Sequence, residues 1–164
     1  MKNILISGLL AGLLNCSVSA AEVGDTVQVC ALNHFATNQP IQLTEQQPPL
    51  LLLDFWASWC APCAKSFPFL NKLHQQYKNQ GLRIIAINLD EDIKEAQQFL
   101  TRFPVDYTIA RDPGQHCAKQ LGLRAMPSSY LIDRQGVIRY IHIGFRDSQR
   151  EYIQQQVVEL LSKS

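Results

Sequence analysis

Apolar residues cluster along this chain in runs whose lengths and spacings already separate strands from helices. Ile4 to Leu14 is a largely apolar run of 11 residues, with Ser7 inside it. Residues 21–47 are polar and turn-rich, with two short alternations, Val27-Gln28-Val29-Cys30 and Ile41-Gln42-Leu43, that predict a small hairpin or lid. After Pro48-Pro49, Leu50 to Trp56 is apolar except for Asp54, the pattern of a strand buried on both faces. Residues 61–79 carry Phe67, Leu70, Leu73 and Tyr77 at helical spacing, with Pro68 expected to bend the helix and Gly81 to end it.

Residues 82–89 predict the next buried strand. Asp90-Glu91-Asp92 opens a helix to about residue 103, carrying Ile93, Ala96, Phe99 and Leu100. A third strand is expected over 105–110, then a turn at Asp112-Pro113-Gly114 and a short helix over 115–121 stopped by Gly122. Residues 128–133 and 137–143 predict an antiparallel hairpin at the sheet edge. A closing helix over 147–162 takes Tyr152, Val157, Leu160 and Leu161 as its apolar positions. Strands alternating with helices imply right-handed crossovers and an α/β domain: a central mixed sheet flanked by helices, with an N-terminal β-hairpin extension. Chemistry is expected where the first buried strand hands over to its helix.

Composition narrows this picture. At 164 residues, 46% hydrophobic and 18% charged, the chain suits one folded domain. Lys and Arg number 15 against 14 Asp and Glu, a balance without the basic footprint of a nucleic-acid or anionic-membrane binder. Met1-Lys2-Asn3, the run that follows and Val18-Ser19-Ala20 have the order of a secretory signal. As a helix the run would span only about 16 Å, half of a hydrocarbon core. The expectation is a signal peptide over 1–20, cleaved after Ala20, and a folded domain over 21–164. The alternative is a lipoprotein acylated at Cys16, although Asn15 fits that signal poorly.

Cleavage would remove Cys16 and leave Cys30, Cys60, Cys63 and Cys117 in an oxidising compartment. Cys60 and Cys63 belong to Trp59-Cys60-Ala61-Pro62-Cys63, at the strand-to-helix junction. There the free N–H groups of a helix start favour a Cys60 thiolate. Pro62 fits the first turn, where its missing N–H costs nothing. Cys63, three residues on, faces back toward Cys60, so the pair can cycle between dithiol and disulfide. A static disulfide and half of a zinc site are the alternatives. Zinc would need further ligands, and His34, His74, His116 and His142 are scattered without a second paired motif.

The segment from Leu53 to Cys63 closely resembles the active-site segment of the thioredoxin superfamily. Val23-Gly24-Asp25, Ser66-Phe67-Pro68, Ile87-Asn88-Leu89-Asp90 and the stretch from Met126-Pro127 to Asp133 resemble, more narrowly, the TlpA/ResA-like extracytoplasmic thiol-disulfide oxidoreductases. The resemblance spans essentially the whole chain after residue 20. It implies a thioredoxin fold, in which Pro127 is cis and faces the cysteine pair while the backbone of Met126 pairs with an extended substrate segment. Trp59 and Pro62 would join that substrate surface. Asp54, six residues before Cys60, matches the buried carboxylate that takes and returns the proton of the second cysteine; the alternative is a carboxylate that only satisfies local backbone donors.

Two positions depart from the group: Ser66 stands where many members have glutamate, and Asp54 where many have asparagine. Lys65 reads as solvated, and the four histidines as surface or locally hydrogen-bonded. Cys30 and Cys117 are expected to form a disulfide tying the N-terminal extension to the body, worth on the order of 4 kcal/mol if unstrained; the alternative is two buried apolar thiols.

These readings converge on a periplasmic protein-disulfide reductase that needs no cofactor or metal. Its partners would be disulfide-containing exported proteins and, by resemblance, a membrane thiol donor of the DsbD/CcdA type. A monomer that binds no nucleic acid is expected, with cytochrome c maturation as one client pathway. A disulfide-introducing oxidase or isomerase is the rival within the enzyme class. A metal-delivery or peptide-binding module that kept the fold is the rival outside it.

Overall fold

A computed structural model describes residues 20–27, 30–41 and 48–163. Cys16 and the expected signal segment up to residue 19 lie outside the described residues, as do Gln28, Val29, Gln42 and Leu43. The elements, in chain order, are β1 (Leu32–His34), β2 (Pro40–Ile41), β3 (Leu50–Trp56), α1 (Ala61–Tyr77), β4 (Leu82–Asn88), α2 (Ile93–Arg102), β5 (Thr108–Arg111), α3 (His116–Gln120), β6 (Ser128–Asp133), β7 (Ile138–Ile143) and α4 (Arg150–Ser162). They build one mixed sheet in the order β2-β1-β5-β4-β3-β6-β7. β3, β4 and β5 run parallel, β6 and β7 form the late antiparallel hairpin, and the β1–β2 hairpin extends the other side by pairing β1 with β5.

All seven residues of β3 are buried because helices cover both faces of the strand. Leu50, Leu52 and Trp56 point to the side packed by α1, α2 and α4. Leu51, Leu53 and Phe55 point to the side packed by α3 and by Cys30, Leu32 and Ile41 of the extension. On the first side Trp56, Phe67 and Phe99 meet with ring centroids 4.8 to 5.0 Å apart, each pair adding about 1 kcal/mol beyond its area burial. Helix α1 continues through Pro68 and a short 3₁₀ turn to Gly81, whose φ of 107° reverses the chain into β4.

Three expected elements differ in detail. The first extension strand is Leu32–His34, beyond the 27–30 alternation; within that stretch Val27 donates its N–H to Gly136, next to a bridge between Thr26 and Val137. The third parallel strand starts at Thr108 rather than 105. Asp106 is held by the Asn71 side chain and Tyr107 drops into the core against Phe67, so the chain pairs with β4 only after them. In α4 the expected Val157 is buried and Leu160 and Leu161 pack against the core, but Tyr152 is exposed and Ile153 takes its place, with Gln156 buried as well. Among the described residues no helix is long and apolar enough to cross a membrane.

Candidate active site

Cys60 caps the N-terminus of α1, with extended backbone angles and no side-chain cap, so the outward N–H groups of the first turn are left to its sulfur. Pro62 lies in that turn, and Cys63 is bonded to Cys60 with their Cα atoms 5.3 Å apart. The two cysteines share one apolar cluster but differ in access, Cys60 being 5% exposed and Cys63 not at all. Cys60 lines a surface groove of about 660 Å³ together with Trp59, Pro62, Leu89, Leu123 and Met126. Cys63 is fully buried, in the cluster formed by Leu52, Trp56 and Phe67. An incoming disulfide can therefore reach Cys60 first, and Cys63 only through it.

The approach to Cys60 is braced from β4. The Asp90 carboxylate accepts from the backbone N–H and the hydroxyl of Ser58, both at 2.9 Å, and from the Asn88 amide at 2.7 Å. Within α1, Ser66 is buried and donates to the Cys63 carbonyl at 3.1 Å, so a hydroxyl rather than a carboxylate stands over the second cysteine. Lys65 is exposed. Trp59 is 69% exposed beside the pair, a large apolar surface left free at the mouth of the groove. On the opposite wall the Met126–Pro127 bond is cis, with Pro127 buried and Met126 half-buried. Immediately after it Ser128 donates to Ala125 at 2.8 Å, closing the turn into β6.

Asp54 lies on the face of β3 that carries Leu52 and Trp56 and is completely buried. Ser129 of β6 donates to its Oδ1 at 2.6 Å; Oδ2 has no hydrogen-bond partner among the described residues. Burial pushes the carboxyl up to about 7 against the pull of the Ser129 hydrogen bond. Such a group exchanges protons near neutrality. Tyr107, also buried with its hydroxyl unpartnered among the described residues, is held well above the ordinary tyrosine range, first by burial and then by the charge of Asp54.

Cys30 and Cys117 form a disulfide with Cα atoms 5.1 Å apart. Cys117 lies in the first turn of α3 beside Ala118 and Lys119, which line the groove, and Asp112 accepts from the N–H groups of both Cys117 and Ala118. The bridge thus ties the extension to a wall of the site. His34 and His116 are exposed. His74 and His142 are shifted down, both chiefly by burial. Among the described residues no three His, Cys, Asp or Glu side chains gather as a metal site.

Two contributors escaped the reading of the sequence. Asp90 reads as part of the acidic start of α2, but the residue that caps that helix is Asp92, which accepts from Lys94, and Asp90 serves the loop before Cys60. Ser129 lies within the Met126-to-Asp133 stretch that carries the resemblance but has no role assigned there, and the pairing register of β3 with β6 brings it to Asp54.

The Redoxin family matches residues 22–156. The thiol-disulfide oxidoreductase ResA of Bacillus thuringiensis subsp. konkukian is 31% identical over 123 residues, which cover 75% of this chain and 68% of that protein. ResA of Geobacillus thermodenitrificans is 29% identical over 151 residues, covering 88% and 86%. Among solved structures, a Chlorobium tepidum protein described as a thiol:disulfide interchange protein, DsbE, superposes with a TM-score of 0.81 at 36% identity, covering 87% of this chain and 99% of that one.

Proposed function

Because the chain belongs to the Redoxin family, among the ResA-like thiol-disulfide oxidoreductases of the thioredoxin superfamily, we propose that it reduces disulfides of exported proteins with the Cys60–Cys63 dithiol. The observation that carries this reading is the unequal placement of the two cysteines: Cys60 lines the groove, and Cys63 is buried behind it.

In the reduced protein the Cys60 thiolate attacks one sulfur of a client disulfide. A Cys60–client mixed disulfide forms and the other client sulfur leaves as a thiolate. The client segment lies in the groove against Trp59 and Pro62 and pairs with the backbone at Met126, next to Pro127. Cys63 then gives its proton to Asp54 and attacks Cys60. The Cys60–Cys63 bond forms, the mixed disulfide breaks, and two electrons have passed to the client. A membrane thiol donor of the DsbD/CcdA type restores the dithiol, and cytochrome c maturation is a fitting client pathway. Export over a signal peptide at residues 1–20 is supported by the Cys30–Cys117 bridge, since disulfides of this kind persist in oxidising compartments.

Trapping tests the proposal. Cys63→Ala, expressed with its leader, is expected to accumulate mixed disulfides with exported proteins, and Cys60→Ala introduced in addition is expected to abolish them. A reduction potential near about −270 mV is expected for the pair; one near about −120 mV would assign the protein to disulfide formation instead. Absence of any trapped client, with stoichiometric copper binding in its place, would overturn the enzyme reading.

A further inference from the structure

One face of the sheet carries a polar row inside an otherwise apolar layer. Residues paired across neighbouring strands share a face, and the pairs Ala86–Asp54, Asp54–Ser129 and Ser129–His142 run from β4 through β3 and β6 to β7. Along this row a single side-chain hydrogen bond reaches Asp54, the 2.6 Å contact from the Ser129 hydroxyl to Oδ1. An oxygen that already accepts a hydroxyl proton has a lone pair engaged and is the poorer proton acceptor of the two. Oδ2 is equally buried and accepts from nothing among the described residues.

We propose that Ser129 is a positioning residue that commits Oδ1 of Asp54 to a fixed acceptor role and so leaves Oδ2 as the atom that exchanges a proton with Cys63. The inference rests on the reading of Asp54 as the base for Cys63 and deepens it. When Cys63 resolves the mixed disulfide, its S–H proton passes to Oδ2 and its electron pair forms the bond to Cys60. The client sulfur leaves with the pair from the broken bond, so the step balances without any further oxidant.

Few other groups enter. β4 places Ala86 beside Asp54, with no charge and no hydrogen bond. From the chain before β5 comes Tyr107, protonated well beyond neutrality. From α1 come Cys63 and the Ser66 hydroxyl, which is occupied by the Cys63 carbonyl. On β7, beyond Ser129, His142 is buried and its pKa is lowered, chiefly by that burial, which disfavours its charged form. Among the described residues Ser129 is therefore the one side chain seen to donate a hydrogen bond to Asp54. The cis Met126–Pro127 bond immediately precedes β6, so the segment that enters this strand from the groove at Met126 also brings in Ser129.

The test compares wild type, Ser129→Ala, Ser129→Thr and Asp54→Asn by two readouts. One is the Asp54 side-chain carbon resonance against pH in the oxidised protein. The other is the rate at which Cys63 resolves a preformed mixed disulfide between Cys60 and a model peptide, against pH. Wild type is expected to titrate near 7. Ser129→Ala is expected to titrate about one pH unit higher and to resolve about fivefold more slowly at pH 7, recovering at higher pH. Ser129→Thr, which keeps the hydroxyl, is expected to follow wild type, and Asp54→Asn to lose the pH dependence. If Asp54→Asn flattens the profile and Ser129→Ala leaves both readouts unmoved, Ser129 is only a structural neighbour and the inference falls alone. An unchanged profile in Asp54→Asn would overturn the base reading and the role of Ser129 with it.

Discussion

Replacing Asp54 by asparagine removes the ionisable group from β3 while keeping its shape and an oxygen to which Ser129 can donate. Asparagine therefore stands in for the protonated acid, and the comparison isolates the cost of the buried charge. In the folded protein the carboxyl titrates at about 7, against an ordinary value of 3.8. Between those values the folded chain holds a proton that the unfolded chain has released, so stability falls as pH rises through this window and levels off above it. Roughly three pH units at about 1.4 kcal/mol each give about 4 kcal/mol, undiminished by solvent because Asp54 is fully buried. The variant is expected to lie within about 1 kcal/mol of wild type near pH 4 and to be more stable by about 4 kcal/mol at pH 8. Urea unfolding of the oxidised protein at both pH values measures it. Other titrating groups, such as His74 and His142, are common to both proteins and cancel in the difference. A difference that stays constant from pH 4 to 8 would refute the reasoning, since it would mean that the carboxylate finds water or partners enough to ionise at its ordinary value.

The Cys30–Cys117 bridge closes a sequence separation of 87 residues, so Cys30→Ser with Cys117→Ser is expected to lower stability by on the order of 4 kcal/mol in urea unfolding. The reduction potential of Cys60–Cys63 is expected to stay unchanged, while KM for a peptide disulfide rises because α3 walls the groove. Trp59→Ala is expected to leave the unfolding midpoint unmoved, since the ring is 69% exposed, and to raise KM for peptide disulfides about tenfold; an unaltered KM would remove the ring from the client surface.

What the sequence showed and what it hid divide along a physical line. The continuous run of β3, the position of Cys60 at the head of α1 and the intrusion of Asp54 are properties of neighbouring residues, and each was legible where it stood. The start of the third strand was not, because Tyr107 is drawn into the core by Phe67, a residue 40 positions earlier on α1. In α4 the apolar stripe is legible at Val157, Leu160 and Leu161, but Tyr152 faces outward while Ile153 and the polar Gln156 are buried.

Ser129 shows the limit most sharply. Two serines stand together after Pro127, and nothing local distinguishes them; strand geometry sends one to each face. The register pairs Asp54 with Ser129 and Phe55 with Ser128, so the first hydroxyl closes the turn on Ala125 while the second meets the carboxylate. A slip of one residue would turn the other face of β6 into this layer and set Ser128 or Tyr130 opposite Asp54 in place of Ser129. The leucines of β3 and the apolar residues of β6 hold that register through their burial on both sides. The hydrophobic pattern legible in the sequence therefore also fixes the hydrogen bond that the sequence does not announce.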